Sequence, residues 1–329
     1  MPERASKSQA LQVGFESTYG TSVAATRKLM SLTMDADIQA TRRKNFGQGY
    51  NFPSSTSMER DFTEGDIGGA LMFDEVLVPL AMAFGTVTPT TGTPATVRKW
   101  VWTIPLTGDI IPKSVTMEKG DTNTAEKTTG VVATALEFGW TREEITIGGS
   151  ILGQLTDVAA ALTTAGPPTT YAKVPMNPNG VGIFMDTTSA GLGTTRMLRA
   201  FEGGISLGSL QSPIWPLNEL NTSFDGVVSA QPESESTLLL MADTAGKALI
   251  TGLRAGTRYF MRTYVKGPVI GAGPDTYLFQ VDQAVEVVDV DTLEDSDGIY
   301  AIPLTLAPVA DATWGKAMEI TVTNTTTAL

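Results

Sequence analysis

Apolar residues in this chain recur at every second position, a period that confines most of its length to strands. In 318–323, Met318, Ile320 and Val322 share one face while Glu319, Thr321 and Thr323 share the other. Tyr300, Ile302, Leu304 and Leu306 alternate likewise, with Pro303 on the opposite face. Proline donates nothing to a ladder, so that strand reads as an edge or a bulged one. From 258 to 266, Tyr259, Met261, Thr263 and Val265 oppose Arg258, Phe260, Arg262, Tyr264 and Lys266, so both faces carry bulk and both read as covered. Leu136, Phe138 and Trp140 alternate, as do Ile145, Ile147 and Ile151, but the parity flips between the two sets. The segment 134–152 therefore reads as a hairpin turning at 141–144. Segments 29–40 and 200–208 read as further strands.

Two segments depart from this period. At 236–253, Leu238, Met241, Ala242, Ala245, Leu249 and Leu253 recur at helical spacing. Ser234 or Ser236 is placed to cap that helix and Gly256 to stop it. At 74–84, Asp74 is placed to cap a short helix closed by Gly85, with Pro79 inside to kink it or delay its start. Stretches rich in Pro, Gly and Thr lie at 86–99, 163–180 and 266–275. Strands of similar character flank the middle one, which favours one large mainly β domain with long loops. Segment 41–58 carries Arg42-Arg43-Lys44, then Phe46, Gly47, Gly49, Tyr50 and Phe52, with little periodicity. It reads as a long loop with a binding role, mobile in the isolated subunit because it has few apolar anchors.

Composition narrows the chemistry. The 329 residues include no cysteine and no histidine, which excludes disulfides, Cys/His zinc sites, thiol nucleophiles and His-based triads. Charged residues make up 18%, below the roughly 25% usual in soluble domains. About one residue in seven is threonine and 33 are glycine. So few charges suit a chain whose surface is largely covered by neighbours. Lys and Arg number 23 against 35 Asp and Glu, a net charge of −12, which argues against tight phosphate binding. No apolar run approaches the roughly 18 residues of a membrane helix. Met1-Pro2-Glu3-Arg4 lacks an apolar segment, so classical export is not expected.

Motifs for chemistry are incomplete. Gly246-Lys247 has Met241 where a phosphate loop needs glycine, and Ala248 where it needs Ser or Thr. Gly271-Ala272-Gly273 runs into Pro274 and reads as a turn. The acidic run 289–298 fails calcium-loop spacing, since placing Gly298 sixth puts Leu293 first; it reads as an acidic loop turning at Asp297-Gly298. Glu143 and Glu144 are adjacent and would point to opposite faces, so they make no carboxylate pair. Arg42-Arg43-Lys44 reads as a salt-bridging contact to an acidic neighbour rather than to nucleic acid. No catalytic residue, cofactor or metal site is expected.

Three stretches carry a resemblance through their order along the chain. The first is the opening 13–23, with Gly14, Glu16, Ser17, Gly20 and Thr21 in a G-x-E-[ST]-x-x-G-T pattern. The second, 59–85, leads from an acidic strand through Gly68-Gly69 into Asp74-Glu75-Val76-Leu77-Val78-Pro79-Leu80. The third is 295–301, followed by Trp314-Gly315-Lys316-Ala317-Met318-Glu319. Together they resemble the major tail protein, or tail tube protein, of long-tailed bacteriophages with flexible tails. That resemblance implies a β-sandwich or barrel with one flanking helix, here 236–253, and long loops. It implies an N-terminal arm over 1–28, a single domain over 29–329, and an insertion or linker at 157–180. It implies hexameric rings stacked into a hollow tube, with 41–58 as the inter-ring arm. Contacts would come from Arg42, Arg43, Lys44, Phe46, Tyr50 and Phe52, and from the terminal segment 318–329. The partners implied are further copies of the chain and tail-tip, tape-measure and tail-terminator proteins. The site implied is the virion tail, assembled in the host cytoplasm, with DNA passing through the lumen without tight binding. An acidic lumen would repel that DNA, and Glu64, Glu137 and Glu143 are the acids expected to line it. Alternatives are the tube of a related secretion or injection machine, or a carbohydrate-binding β-sandwich using Trp100, Trp102 or Trp215 as sugar platforms.

Overall fold

In a computed structural model of the chain, described over residues 9–217, 222–296 and 298–329, regular structure is almost all strand. It begins with β1 (Ala10–Phe15), β2 (Arg27–Leu29), β3 (Leu32–Phe46), β4 (Pro53–Ala70) and helix α1 (Leu77–Phe84). Next come β5 (Thr90–Thr91), β6 (Arg98–Ile104), β7 (Val115–Gly120), β8 (Ala125–Trp140), β9 (Ile145–Gly153), β10 (Thr156–Ala160) and β11 (Thr169–Thr170). Then follow β12 (Val181–Asp186), β13 (Ala200–Gly208), β14 (Gln211–Ile214), β15 (Gly226–Ser229), β16 (Glu233–Met241) and helix α2 (Thr244–Ala255). The chain closes with β17 (Arg258–Val269), β18 (Thr276–Val290), β19 (Glu294–Ser296), β20 (Ile299–Pro308) and β21 (Met318–Asn324).

Antiparallel pairing orders one sheet as β3-β4-β9-β8-β13-β16-β20. A second runs β12-β17-β18-β21-β6-β5. Long strands belong to two neighbourhoods. The end of β18 turns onto β20, and the first half of β8 pairs with β7 and β10 instead of β9 and β13. The sheets are not closed, so the barrel alternative is corrected. Among the described residues β3 and β5 each pair with one neighbour and keep a free edge.

The alternation read from sequence fills the space between the sheets. Leu136 and Phe138 of β8, Ile205 and Leu207 of β13, and Leu304 and Leu306 of β20 are buried with Phe279 and Val281 of β18. The Phe138 and Phe279 rings lie 5.1 Å apart across the layers. The parity flip is a four-residue turn, in which Thr141 Oγ1 accepts from the amides of Glu143 and Glu144 at 3.2 Å. Glycine is required where ladders crowd. A Cβ on Gly65 would sit 1.6 Å from the Asp35 carbonyl oxygen, and one on Gly149 2.2 Å from that of Ala135.

Helix α1 is apolar all round and is therefore enclosed all round. Pro79 lies in its first turn, where a missing N–H forfeits no helical bond. Asp74 does not cap it, since α1 has no side-chain cap. The helix expected at 236–253 begins only at Thr244, with Asp243 as its cap. Asp243 Oδ1 accepts from the amides of Ala245 and Gly246 at 3.0 Å. Residues 236–241 belong to β16, where both faces are apolar and buried over 238–240 although Thr237 is exposed. Leu238, Leu239 and Leu240 are all buried, and Ser236 donates to Gln283 within the core at 2.9 Å. Gly256 ends α2 at φ 60°, as expected. Replacing Asp243 by Ala should cost about 1 kcal/mol, the usual worth of an N-cap, read as a lower urea midpoint of the unassembled subunit at unchanged slope.

The segment 41–58, expected to be a mobile loop, is instead the outer half of a β-hairpin. Thr41 pairs with Arg60, Lys44 with Thr56 and Phe46 with Pro53. Residues 10–15, read as part of an N-terminal arm, form β1 between β2 and β7; residues 1–8 lie outside the described residues. Segment 157–180, read as an insertion or linker, is stitched to the fold at intervals. The β10 strand joins β8, β11 runs parallel to β2, and Met176 donates its amide to the Leu71 carbonyl at 3.0 Å.

Two of the motifs behind the resemblance act as buried locks. Glu16 is buried and accepts from the Gly20 amide at 2.8 Å and from Thr116 Oγ1 and the Gly130 amide at 2.9 Å. Glu75 is buried and accepts from the amides of Met30 and Ser31 at 2.9 Å and from Ser31 Oγ at 2.6 Å. Glu75 satisfies amides far away in sequence, and Glu16 joins its own turn at Gly20 to the distant Gly130 amide. Asp74 is buried too, but it accepts from Thr326 Oγ1 at 2.8 Å while Oδ2 has no partner among the described residues. Burial, with Glu75 adding repulsion, pushes its pKa up to about 6. A carboxyl raised this way binds more protons folded than unfolded. Its stabilising protonation is complete below the unfolded value and is lost as pH rises through about 6. The Asp74→Asn variant stays neutral throughout. Its stability relative to wild type should therefore climb from pH 4 to pH 7 by on the order of 3 kcal/mol, measured by urea unfolding of the subunit.

Candidate functional site

The inward residues of the first sheet form the core, so their neighbours in sequence form its outward face. On β3 and β4, Asp35 lies directly opposite Asp66 and Asp37 opposite Glu64. Further along, Glu137 of β8 and Glu235 of β16 flank Ser206 of β13 in register. All six carboxylates are exposed. Lys119 donates to Asp35; the other five have no ion-pair partner among the described residues. Like charges placed opposite on a sheet destabilise it. Water screens them here, and Lys119 offsets the charge of Asp35.

Between these acids the face is nearly bare. Gly68, Gly148, Gly139 and Gly204 occupy outward positions on four neighbouring strands, with Thr146, Ser206 and Thr237 beside them. Glycine in strand interiors weakens a sheet unless something must come close. The result is a shallow trough with a small-residue floor and Glu137 and Glu235 on its walls. Lys and Arg are absent from the outward strand positions between Thr33–Asp37 of β3 and Ala301–Ala307 of β20. Glu64 and Glu137, expected from sequence, lie on this face. Glu143 lies in the exposed turn at its end. Asp35, Asp37, Asp66 and Glu235 were not singled out by sequence reasoning; parity along each strand marks them as outward, but only the register sets them side by side.

The second feature is the projecting hairpin. Thr63 is the last β4 residue paired to β9. Beyond it β3 and β4 pair only with each other, from Gln39 opposite Phe62 to Phe46 opposite Pro53. That ribbon is roughly 25 Å long at about 3.3 Å per residue. Its root is held. Phe62 packs edge-on to Trp215 at 5.4 Å, the Arg60 guanidinium lies 4.7 Å from the Trp215 ring, and the Asp61 amide donates to Thr222 at 3.1 Å. Its tip is not. Phe46, Tyr50 and Phe52 are 63%, 68% and 80% exposed, and Arg42, Arg43 and Lys44 are exposed without an ion-pair partner among the described residues. A lone two-stranded ribbon is marginal in water, and this one holds its apolar tip out in solvent.

The sugar-platform alternative meets a structural obstacle. Trp100 and Trp102 are buried and stacked on each other, with indole N–H groups bonded to Asn324 and the Gly85 carbonyl. Trp215 is occupied by Phe62, Phe224 and Arg60. Among the described residues no three Asp or Glu side chains converge where a metal ion could sit, and no helix is long and apolar enough to cross a membrane. The acidic run 289–298 spans the end of β18 and the β19–β20 hairpin, in which the Gly298 amide donates to Asp295 at 3.0 Å; Asp297 lies outside the described residues. No protein-family model matches the chain, and no curated protein matches it.

Proposed function

We propose that this chain is a structural subunit that assembles with copies of itself into stacked rings, forming the tail tube of a long-tailed bacteriophage. The observation that carries the reading is the pairing of one open, acid-rich, small-residue sheet face with a projecting hairpin rooted at its edge. A conduit for DNA needs a wall that the polyanion slides past. Carboxylates that, Asp35 apart, have no ion-pair partner among the described residues, set over a floor of Gly, Ser and Thr, repel phosphate and offer little to grip. A tube also needs subunits that complete one another, and a free β3 edge with an exposed ribbon is an open half of such a contact. In this reading tail-tip, tape-measure and tail-terminator proteins start, measure and end the tube, in a virion assembled in the host cytoplasm. Hexameric rings are the arrangement that the resemblance implies. Sedimentation velocity across a concentration series tests the assembly. Large particles growing with concentration, or on addition of a tail-tip nucleus, are the expected result. A monomer under every one of these conditions counts against it.

A further inference from the structure

We infer that the hairpin tip of one copy docks on the acidic corner of β18 and β19 in the next copy, so that the chain carries a plug and its own socket at opposite ends of one sheet. The inference rests on the self-assembly reading and adds the place of contact. Strand registers put the two features at opposite strand ends. The ribbon leaves where β4 loses β9 at Thr63. The other end is traced through Ala70 opposite Thr146, Trp140 opposite Gly203, Met241 opposite Ala301, and Ala301 opposite Glu294.

The two ends match in chemistry. The plug carries three consecutive cations, Arg42, Arg43 and Lys44, ahead of its exposed aromatics. The socket carries Asp289, Asp291, Glu294 and Asp295, all exposed, with no Lys or Arg anywhere in 288–300. Val288, Leu293 and Tyr300 are exposed within the same stretch. No ion pair among the described residues neutralises either end. An apolar patch rimmed by one charge, and an apolar tip rimmed by the other, satisfy each other between copies and not within one. The contact is heterologous, so it leaves a plug and a socket unfilled after each addition and propagates head to tail. Rim charges chiefly steer and register such a contact.

Charge exchange tests this on the full-length chain. Arg42→Glu with Arg43→Glu and Lys44→Glu should raise the concentration needed for polymerisation by roughly tenfold or more. Asp291→Lys with Glu294→Lys and Asp295→Lys should do the same. Both sets combined should return it close to the wild-type value, because plug and socket are again opposite in sign. Circular dichroism establishes that each variant is folded. Polymerisation that ignores either reversal, or a folded combined variant that does not recover, overturns the docking while wild-type polymers leave the assembly reading standing. A wild-type chain that never polymerises overturns the assembly reading itself.

Discussion

Replacing residues 43–57 by Asn-Gly, so that Arg42 opposite Met58 closes the hairpin, should leave a subunit about as stable as the wild type that no longer elongates tubes. Stability should hold because the removed ribbon is exposed on both faces and touches none of the core. Beyond backbone bonds its pairs have only exposed side-chain hydrogen bonds between Asn45 and Ser54 or Ser55, and a two-residue Asn-Gly loop is the favoured closure of such a ladder. The root contacts of Phe62 and Arg60 on Trp215 remain. Elongation should fail because Phe46, Tyr50 and Phe52, the largest apolar surface exposed at the tip, leave together with Arg43 and Lys44. Electron microscopy of the purified variant should show single subunits or isolated rings. Tubes of normal length would mean that the ribbon is not the contact between rings.

The second large effect concerns charge on the sheet face. Glu64→Lys, Asp66→Lys and Glu137→Lys together should permit assembly yet strongly slow genome release. Each side chain is exposed, so each change costs the fold little, within about 0.5 kcal/mol. Two of them relieve the opposition of Asp37 to Glu64 and Asp35 to Asp66. In a tube the three cations repeat in every subunit, and each adds a phosphate contact in every ring. At about 1 kcal/mol per contact the sum over many rings becomes a heavy drag on a moving polyanion. Salt screens exposed charges, with a Debye length of about 10 Å at 0.1 M. The delay should therefore shrink as salt rises. Release from variant particles at the wild-type rate in low salt would remove the sliding argument.

The strands were legible where one face meets the core. Leu136, Phe138 and Trp140 gave β8 its period, and the flip before Ile145 located the turn. The hairpin at 41–58 was illegible because neither face is buried: with Arg42, Arg43 and Lys44 in a row, a ribbon in water shows no period of two. Leu238–Leu240 misled for the opposite reason, since burial on both faces erases alternation and lets a chance i, i+3 spacing run on into α2. Asp74 and Asp243 look alike in sequence as caps. Only the tertiary fold decides that one is sealed against Thr326 and the other bonds the first turn of α2. Glu16 and Glu75 stood inside motifs that were recognised, but their partners at Thr116, Gly130 and Ser31 come together only through the sheet. Of the sheet face, Glu64 and Glu137 could be proposed from hairpin charge. Asp35, Asp37, Asp66 and Glu235 needed the register that sets strand beside strand.

Cryo-electron microscopy of the polymer formed by the purified chain is the most direct test of the tube. Stacked rings around an open channel are expected, with Asp35, Asp66, Glu137 and Glu235 facing the channel and the hairpin of 41–58 reaching into the next ring. A polymer with that acidic face turned to the outside, or a chain that stays monomeric with and without a tail-tip nucleus, would contradict the account.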